Sequence, residues 1–394
     1  MNTISRTVLL IFITLTGILP LKGQYDSLIV SILTCSPGQE LYSIYGHNAL
    51  RIQDARTKTD VVFNYGTFDF DTPGFAIKFM RGKLPYLLSA NYFEDFLREY
   101  NYYQRSVTEQ ILNIDTTSKK QIATFLAYNM LPENRAYKYD FFKDNCATRL
   151  RDVLVKNIKD LHWNDSSSSH KTYRQIIKEY QQYMPWTDFG IDLIIGAPAD
   201  IPTTHAEEMF IPDYLASSIN TADIGDISGT KLILQQKDII TFNEVKQKPL
   251  WICTPEFFFA LLFLIELLIY NYSSKGRKIP FIRMYDQVWM VLISLCGLLM
   301  LFMWFGTDHI PTKYNWNILW ANILIPVWYY FGKNRKWINI LLICIAFCLL
   351  ISAINTFPFF RILPQYFHPA AGTISLILLL KVWRIYRTKY RKYA

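Results

Sequence analysis

The sequence predicts an exported α+β domain followed by an all-α bundle of about five transmembrane helices. Three observations carry this expectation. The chain opens on a short apolar run behind one arginine, residues up to about Trp251 mix polar and apolar types as a water-soluble domain does, and beyond Trp251 Leu, Ile, Phe and Trp dominate. Apolar residues make up 51% of the 394 positions. Their uneven spread divides the chain into 1–23, 24–250 and 251–394.

Arg6 precedes an apolar run over 7–19, closed by Pro20, Lys22 and Gly23. A run this short suits a secretory signal cleaved near Gly23 better than a full span. An uncleaved anchor is the alternative, and either one exports the domain behind it. No Cys stands at the cleavage point, which argues against a lipoprotein-type signal.

Within 24–250, residues 27–33 (SLIVSIL) read as a buried strand, 49–52 as an extended segment and 61–68 (VVFNYGTF) as a β-branched, aromatic strand. Residues 93–103 read as a helix and 105–112 alternate like a strand. Residues 118–130 form a helix capped near Thr116 or Thr117. Residues 144–156 (DNCATRLRDVLVK) have helical periodicity, with Asp144 and Asn145 as possible caps. The Pro-, Gly- and Asp-rich stretch 185–211 reads as a loop packed on the domain or the membrane, and 232–242 as a helix or an extended lead-in to the bundle.

The expected spans are 257–271, 288–305, 318–331, 338–354 and 372–386. The net charge of +9 would fit a nucleic-acid binder, but its distribution excludes that. From Trp251 onward there are 15 basic against 4 acidic residues, and the rest of the chain is slightly acidic. The basic residues alternate between connections. Lys275, Arg277, Lys278 and Arg283 follow span one, Lys333, Arg335 and Lys336 follow span three, and Arg387, Lys389, Arg391 and Lys392 follow span five. That is a positive-inside pattern with the exported domain outside and the C-terminus cytoplasmic. Trp251, Trp289, Trp304, Trp316, Trp337 and Trp383 sit near span ends, as an aromatic belt would. Glu266 and Lys381 fall at similar depth in spans one and five and are expected to pair, since a lone charge in lipid is costly. Snorkelling of Lys381 to the surface is the alternative.

Two residues stand out chemically. His47 lies in YGHNALRI, where a turn enters a strand, and Cys146 begins a helix. A helix N-terminus and a nearby imidazole both favour a thiolate, and a thiolate is a strong nucleophile at neutral pH. On residue type alone the alternatives stay open: a Cys35–Cys146 disulfide, an inert buried Cys146, or a structural His47. A metal centre lacks its spacing, with no HExxH or CxxC, and a serine hydrolase lacks GxSxG.

Several ordered motifs narrow the choice. SILTCSPGQELYSIYGHNALRI, FNYGTFDF, KFMRGKLPYLLSANYF, NYYQRSVTEQ and YKYDFFKDNCATRLRD, followed by PWTDFGIDLIIGAPAD and EEMFIPDYL, resemble the Lnb-type N-terminal periplasmic domain family of Gram-negative envelope proteins over 27–215. A five-helix membrane part is similar to that of its full-length members. The resemblance implies a lipoprotein N-acyltransferase of the bacterial inner membrane. Its fold would be a permuted papain-like domain of the NlpC type, with Cys146 as nucleophile and His47 as base. It implies a membrane phospholipid as acyl donor, a diacylated lipoprotein as acceptor, and no cofactor, metal or nucleic acid. A membrane-tethered cysteine hydrolase on the same fold, or a non-enzymatic envelope protein, are the alternative readings. Asn64, on the strand after His47, is the candidate orienting residue by analogy with a Cys–His–Asn site, with Asp69 as second choice and a solvent-facing strand Asn as the plain alternative. Arg51, Arg81 and Arg105 lie inside the matched motifs. They are candidates for a lipid phosphate, with structural ion pairing as the alternative for at least one.

Overall fold

A computed structural model describes residues 27–164, 168–225, 229–243, 247, 249–331 and 335–389. The export signal expected over 1–23 and the basic residues Lys333, Arg391 and Lys392 lie outside the described residues. The chain divides into two units: one made of 1–180 and 202–245, the other of 181–201 and 246–394.

The first unit is built on a seven-stranded sheet. Its strands are β1 (Leu28–Cys35), β2 (His47–Asp54), β3 (Thr59–Thr67), β4 (Pro85–Tyr92), β5 (Val107–Leu112), β6 (Ala136–Lys138) and, after the short pair β7 (Leu161–His162) and β8 (Asp223–Ile224), β9 (Ile233–Ile240). The spatial order is β6-β4-β3-β2-β1-β5-β9, with neighbouring strands antiparallel. Alternation of apolar residues gives the sheet two covered faces. On one, Val30, Ile32, Leu50, Ile52, Val61, Phe63 and Leu88 pack with the helices. On the other, Leu33, Cys35, Ala49 and Val62 pack with Phe96 and Tyr100.

The helices of this unit are α1 (Phe75–Met80), α2 (Phe93–Tyr102), α3 (Thr116–Asn129), α4 (Cys146–Asn157) and α5 (Tyr173–Gln181). After α6 (Pro185–Ile194), which belongs to the second unit, α7 (His205–Glu208) and α8 (Pro212–Thr221) return to the first. The cap of α3 is Asp115, whose carboxylate accepts from Ser118 N at 2.6 Å, rather than the threonines the sequence pattern favoured. Segment 232–242, read as helix or extended, is the edge strand β9. Stretch 185–211, read as a loop, contains α6, α7 and a 3-10 turn at Ala197–Asp200.

The second unit consists of α6 and the apolar helices α9 (Pro255–Ser274), α10 (Ile282–Leu301), α11 (Leu324–Phe331), α12 (Arg335–Asn355) and α13 (Pro369–Lys389). Among the described residues three helices are long and apolar enough to cross a membrane, Pro255–Ser274, Ile282–Gly306 and Pro369–Thr388, and Asn339–Asn355 is a shorter apolar helix. The expected third span, 318–331, is not one helix. A 3-10 turn at Trp316–Leu319 precedes α11. Asparagines cause the break. Asn315 donates to the carbonyls of Leu193 and Ile194, Asn317 to that of Asp192, and Asn322 Oδ1 accepts from Leu324 N. Asn315 and Asn317 thus serve carbonyls at the C-terminal end of α6, which have no partner within that helix, and Asn322 serves the first N–H of α11.

The expected Glu266–Lys381 pair forms, with Lys381 Nζ 2.9 Å from Glu266 Oε2. It is half of a larger arrangement. Asp286 lies 3.1 Å from Lys381, and Arg384 bonds Glu266 at 3.1 Å and Asp286 at 2.5 Å. All four residues are buried, so two acids and two bases neutralise one another inside the bundle. Asp286 and Arg384 escaped the sequence reading because both lie near span ends, where a charge calls for no partner.

Candidate active site

Strand β2 begins at His47 because Gly46, at φ 80°, turns the chain there. A Cβ on Gly46 would come within 2.8 Å of the Cys35 carbonyl, so no other residue fits without movement. The register Cys35↔His47 then sets the imidazole at one end of the sheet. Strand β3 runs beside β2 and ends at the same place, with a register shift between Asn64 and Thr67. Gly66, at φ 94°, forms that irregularity and lies beside Cys146, whose Cβ would be 3.9 Å from a Cβ placed there.

Cys146 is the first residue of α4 because Asn145 caps the helix with a reciprocal pair of bonds. Asn145 Oδ1 accepts from Thr148 N at 3.0 Å, and Asn145 N donates to Thr148 Oγ1 at 2.8 Å. The Asn145 amide is held in turn by the carbonyls of Phe141 and Phe210, at 2.9 and 2.7 Å. The motif EEMFIPDYL thus acts at a distance in sequence: the Phe210 carbonyl fixes the cap, and Pro212 packs beside Gly46. Asp144, the other candidate cap, binds Arg149 at 2.6 Å instead.

The three groups meet. His47 Nε2 is 3.1 Å from Asn64 Oδ1, and the His47 ring hydrogen-bonds the Cys146 sulfur. With Nε2 taken by Asn64, Nδ1 is the nitrogen left for sulfur. Burial alone would raise the Cys146 thiol, but the facing His47 charge, its hydrogen bond and the N–H groups of Asn48 and Ala147 outweigh burial and hold it below the ordinary thiol value. Burial pulls the other way on His47, where the Cys146 charge and the bonds to Cys146 and Asn64 raise it above the ordinary imidazole value. Both shifts favour a thiolate–imidazolium pair. Both residues are half-buried rather than fully enclosed.

The other named residues separate. Cys35 and Cys146 are both free thiols, and Cys35 is an unreactive one: burial pushes it up to about 12 despite a bond to Tyr100. Asp69 lies in an exposed turn where it accepts from Asp71 N at 2.9 Å, and the bond to His47 comes from Asn64 instead. Arg51 is committed to carboxylates, with Asp60 at 2.6 Å and Glu109 at 2.8 Å, and lies over the Phe93 ring. That is the ion-pair role. Arg105 donates Nε to the Ser36 carbonyl at 2.8 Å, is close enough to act on the charge of His47, and has its buried Nη2 without a hydrogen-bond partner among the described residues. Arg81 caps the C-terminus of α1 and is exposed.

Two family models match this chain: the Lnb N-terminal periplasmic domain over residues 22–179 and the Lnb transmembrane domain over residues 246–393. The chain belongs to the Lnb-type family. No curated protein and no solved structure matches it significantly. Lnb membership and the apolar helices make this an inner-membrane protein with a periplasmic α+β domain. Lnb membership also points to an enzyme, an acyltransferase of lipoprotein N-acylation. Sequence reasoning missed the Phe210 carbonyl and Pro212 as supports of the site. The only signal was their place in a matched motif, since a backbone acceptor leaves no mark on residue type.

Proposed function

We propose that this protein moves an acyl chain from a membrane phospholipid, through a thioester on Cys146, to the α-amino group of the N-terminal diacylglyceryl-Cys of lipoproteins. The observation that carries the reading is the hydrogen-bonded series Cys146–His47–Asn64, with sulfur on a helix N-terminus and both pKa shifts favouring the ion pair.

In the first step the Cys146 thiolate adds to the ester carbonyl carbon of the donor. The Cys146 N–H lies in the first helical turn, which has no helical carbonyl to serve, and it supplies a donor to the oxyanion. The carbon–oxygen ester bond breaks, His47 gives its proton to the departing alkoxide of the lysophospholipid, and a thioester remains. In the second step the neutral amine of the acceptor attacks the thioester carbonyl and His47 takes its proton. The carbon–sulfur bond then breaks to return the thiolate and leave an amide. Asn64 holds the ring in the orientation both steps need, as a positioning residue.

Arg105, whose Nη2 has no hydrogen-bond partner among the described residues, is assigned to the donor's phosphate. The basic connections of the bundle support a topology with the catalytic domain in the periplasm and the C-terminus in the cytoplasm. Anchoring keeps enzyme, donor and acceptor in one surface, which raises their effective concentration.

The test is the mass of lipoproteins from a cell that depends on this protein for N-acylation. Cys146→Ala and His47→Ala are expected to leave lipoproteins diacylated, one acyl chain lighter than normal. Triacylated lipoproteins in the Cys146→Ala strain would end the thioester reading.

A further inference from the structure

Between β3 and β4 the chain leaves the sheet at the end where His47 and Cys146 lie, and its excursion over 68–83 carries α1. This helix buries none of its side chains. Phe70, Ile77 and Phe79 are 73%, 60% and 47% exposed, and Met80 is exposed beside them. Four large apolar side chains exposed together on one short excursion mark an interaction surface.

The rings are already arranged. Phe68 and Phe70 lie 5.0 Å apart, Phe70 and Phe75 5.0 Å, and Phe75 stacks on Phe79 at 6.0 Å. From Phe68 the series turns inward, to Tyr86 at 5.4 Å and on to Tyr139, stacked at 4.3 Å. Tyr86, Tyr139 and Cys146 pack against the same core cluster, and Tyr139 lies close enough to Cys146 to feel its charge. An aromatic series thus runs from the exposed tip to Tyr139, which packs against the same core cluster as Cys146.

Charge identifies the occupant. The excursion holds Lys78, Arg81 and Lys83 against Asp69 and Asp71. Both acids sit in its opening turn, where the Asp69 carboxylate accepts from Asp71 N, while the bases come later, on and just after α1, with Arg81 and Lys83 exposed. An apolar tip beside a basic collar matches acyl chains beneath a layer of phosphates. The same chain carries helices long and apolar enough to cross a membrane.

We propose that segment 68–83 inserts into the lipid surface and passes one acyl chain of a phospholipid along the Phe75–Phe68–Tyr86–Tyr139 track to Cys146, an inference that rests on the thioester reading of that cysteine. Arg81 and Lys83 meet phosphates at the surface while Ile77 and Phe79 enter the acyl region.

The test uses the full-length protein in phospholipid vesicles, with photoreactive p-benzoylphenylalanine in place of Ile77, Phe79 or, as control, the exposed Val155 of α4. Irradiation is expected to yield phospholipid adducts, seen by mass, at 77 and 79 and not at 155. No lipid adduct at 77 or 79, equal adducts at 155, or adducts to protein alone would overturn the proposal. This readout needs no acyl transfer.

A second arm measures acylation of Cys146. In the Ile77→Asp, Phe79→Asp double variant, acylation from vesicle phospholipid should fall roughly tenfold more than acylation from a water-soluble short-chain ester. Equal falls for the two donors would also overturn it. If the unaltered protein acylates Cys146 from neither donor, the thioester reading itself fails, and with it the track.

Discussion

The two units each bury an ionic arrangement, and they do so to opposite ends. In the helical unit Glu266, Asp286, Lys381 and Arg384 are matched two against two, with every charge answered at 2.5–3.1 Å. In the sheet unit Cys146 and His47 form one pair, half-buried, with His47 also bonded to Asn64 and the sulfur to the N–H groups of Asn48 and Ala147. The closed arrangement has no open position and holds helices together. The open one favours a charged sulfur that is not fully enclosed. A buried pair does chemistry only where its partner can give up a proton and a substrate can come in beside it.

The largest effect separating the two arrangements comes from the sulfur. Cys146→Ala should lower N-acylation by roughly 10⁴-fold or more while leaving the thermal midpoint of the full-length protein in detergent close to the unaltered value. A large fall in that midpoint would mean that the open pair is structural too.

Next in size is the closed arrangement. Lys381→Met leaves two carboxylates facing one guanidinium and should destabilise the protein by about 3–5 kcal/mol. Adding Glu266→Gln restores neutrality and should recover much of the loss, as read from the detergent melting midpoint. No recovery would mean that the charges contribute separately rather than as a set.

His47→Gln removes both the proton carrier and the charge that lowers the thiol. Acylation of Cys146 should fall by roughly 10²–10⁴-fold. The pH midpoint for its alkylation by iodoacetamide should move up toward an ordinary thiol, because the cause of the lowered value has gone. An unmoved midpoint would assign the low value to the helix and its N–H groups alone.

The smallest effect belongs to Asn64→Ala, a loss of roughly tenfold or less. Its signature is the pH profile. Activity through the ion pair lies above the lowered thiol value of Cys146 and below the raised imidazole value of His47. The Asn64 bond is among the causes that raise His47, so its removal should bring the alkaline limb to lower pH. An unchanged alkaline limb with reduced rate would make Asn64 a packing residue.

Much of the site was legible residue by residue. Cys146 at a helix start followed from DNCATRL, because a cap residue precedes helical periodicity, and strand β3 followed from its β-branched run. The supports were not legible. Pro85–Tyr92 does not stand out as a strand, although it places Tyr86 beside Tyr139, because its burial follows no clean alternation. The edge strand β9 is ambiguous with a helix because its polar middle, Gln235 to Asp238, faces solvent and carries no apolar period.

Local and compositional properties were settled by the sequence alone. Apolar runs set the membrane helices, since a span needs length and little charge. Cap chemistry set the start of α4, and the order of motifs set the family. Only the tertiary structure decided which side chains meet. His47 and Cys146 are 99 positions apart in sequence, and Asp286 and Arg384 98. Strand register and helix packing join such pairs by contacts that no local pattern records, so one imidazole came to face one sulfur and Arg51 was drawn away to Asp60 and Glu109.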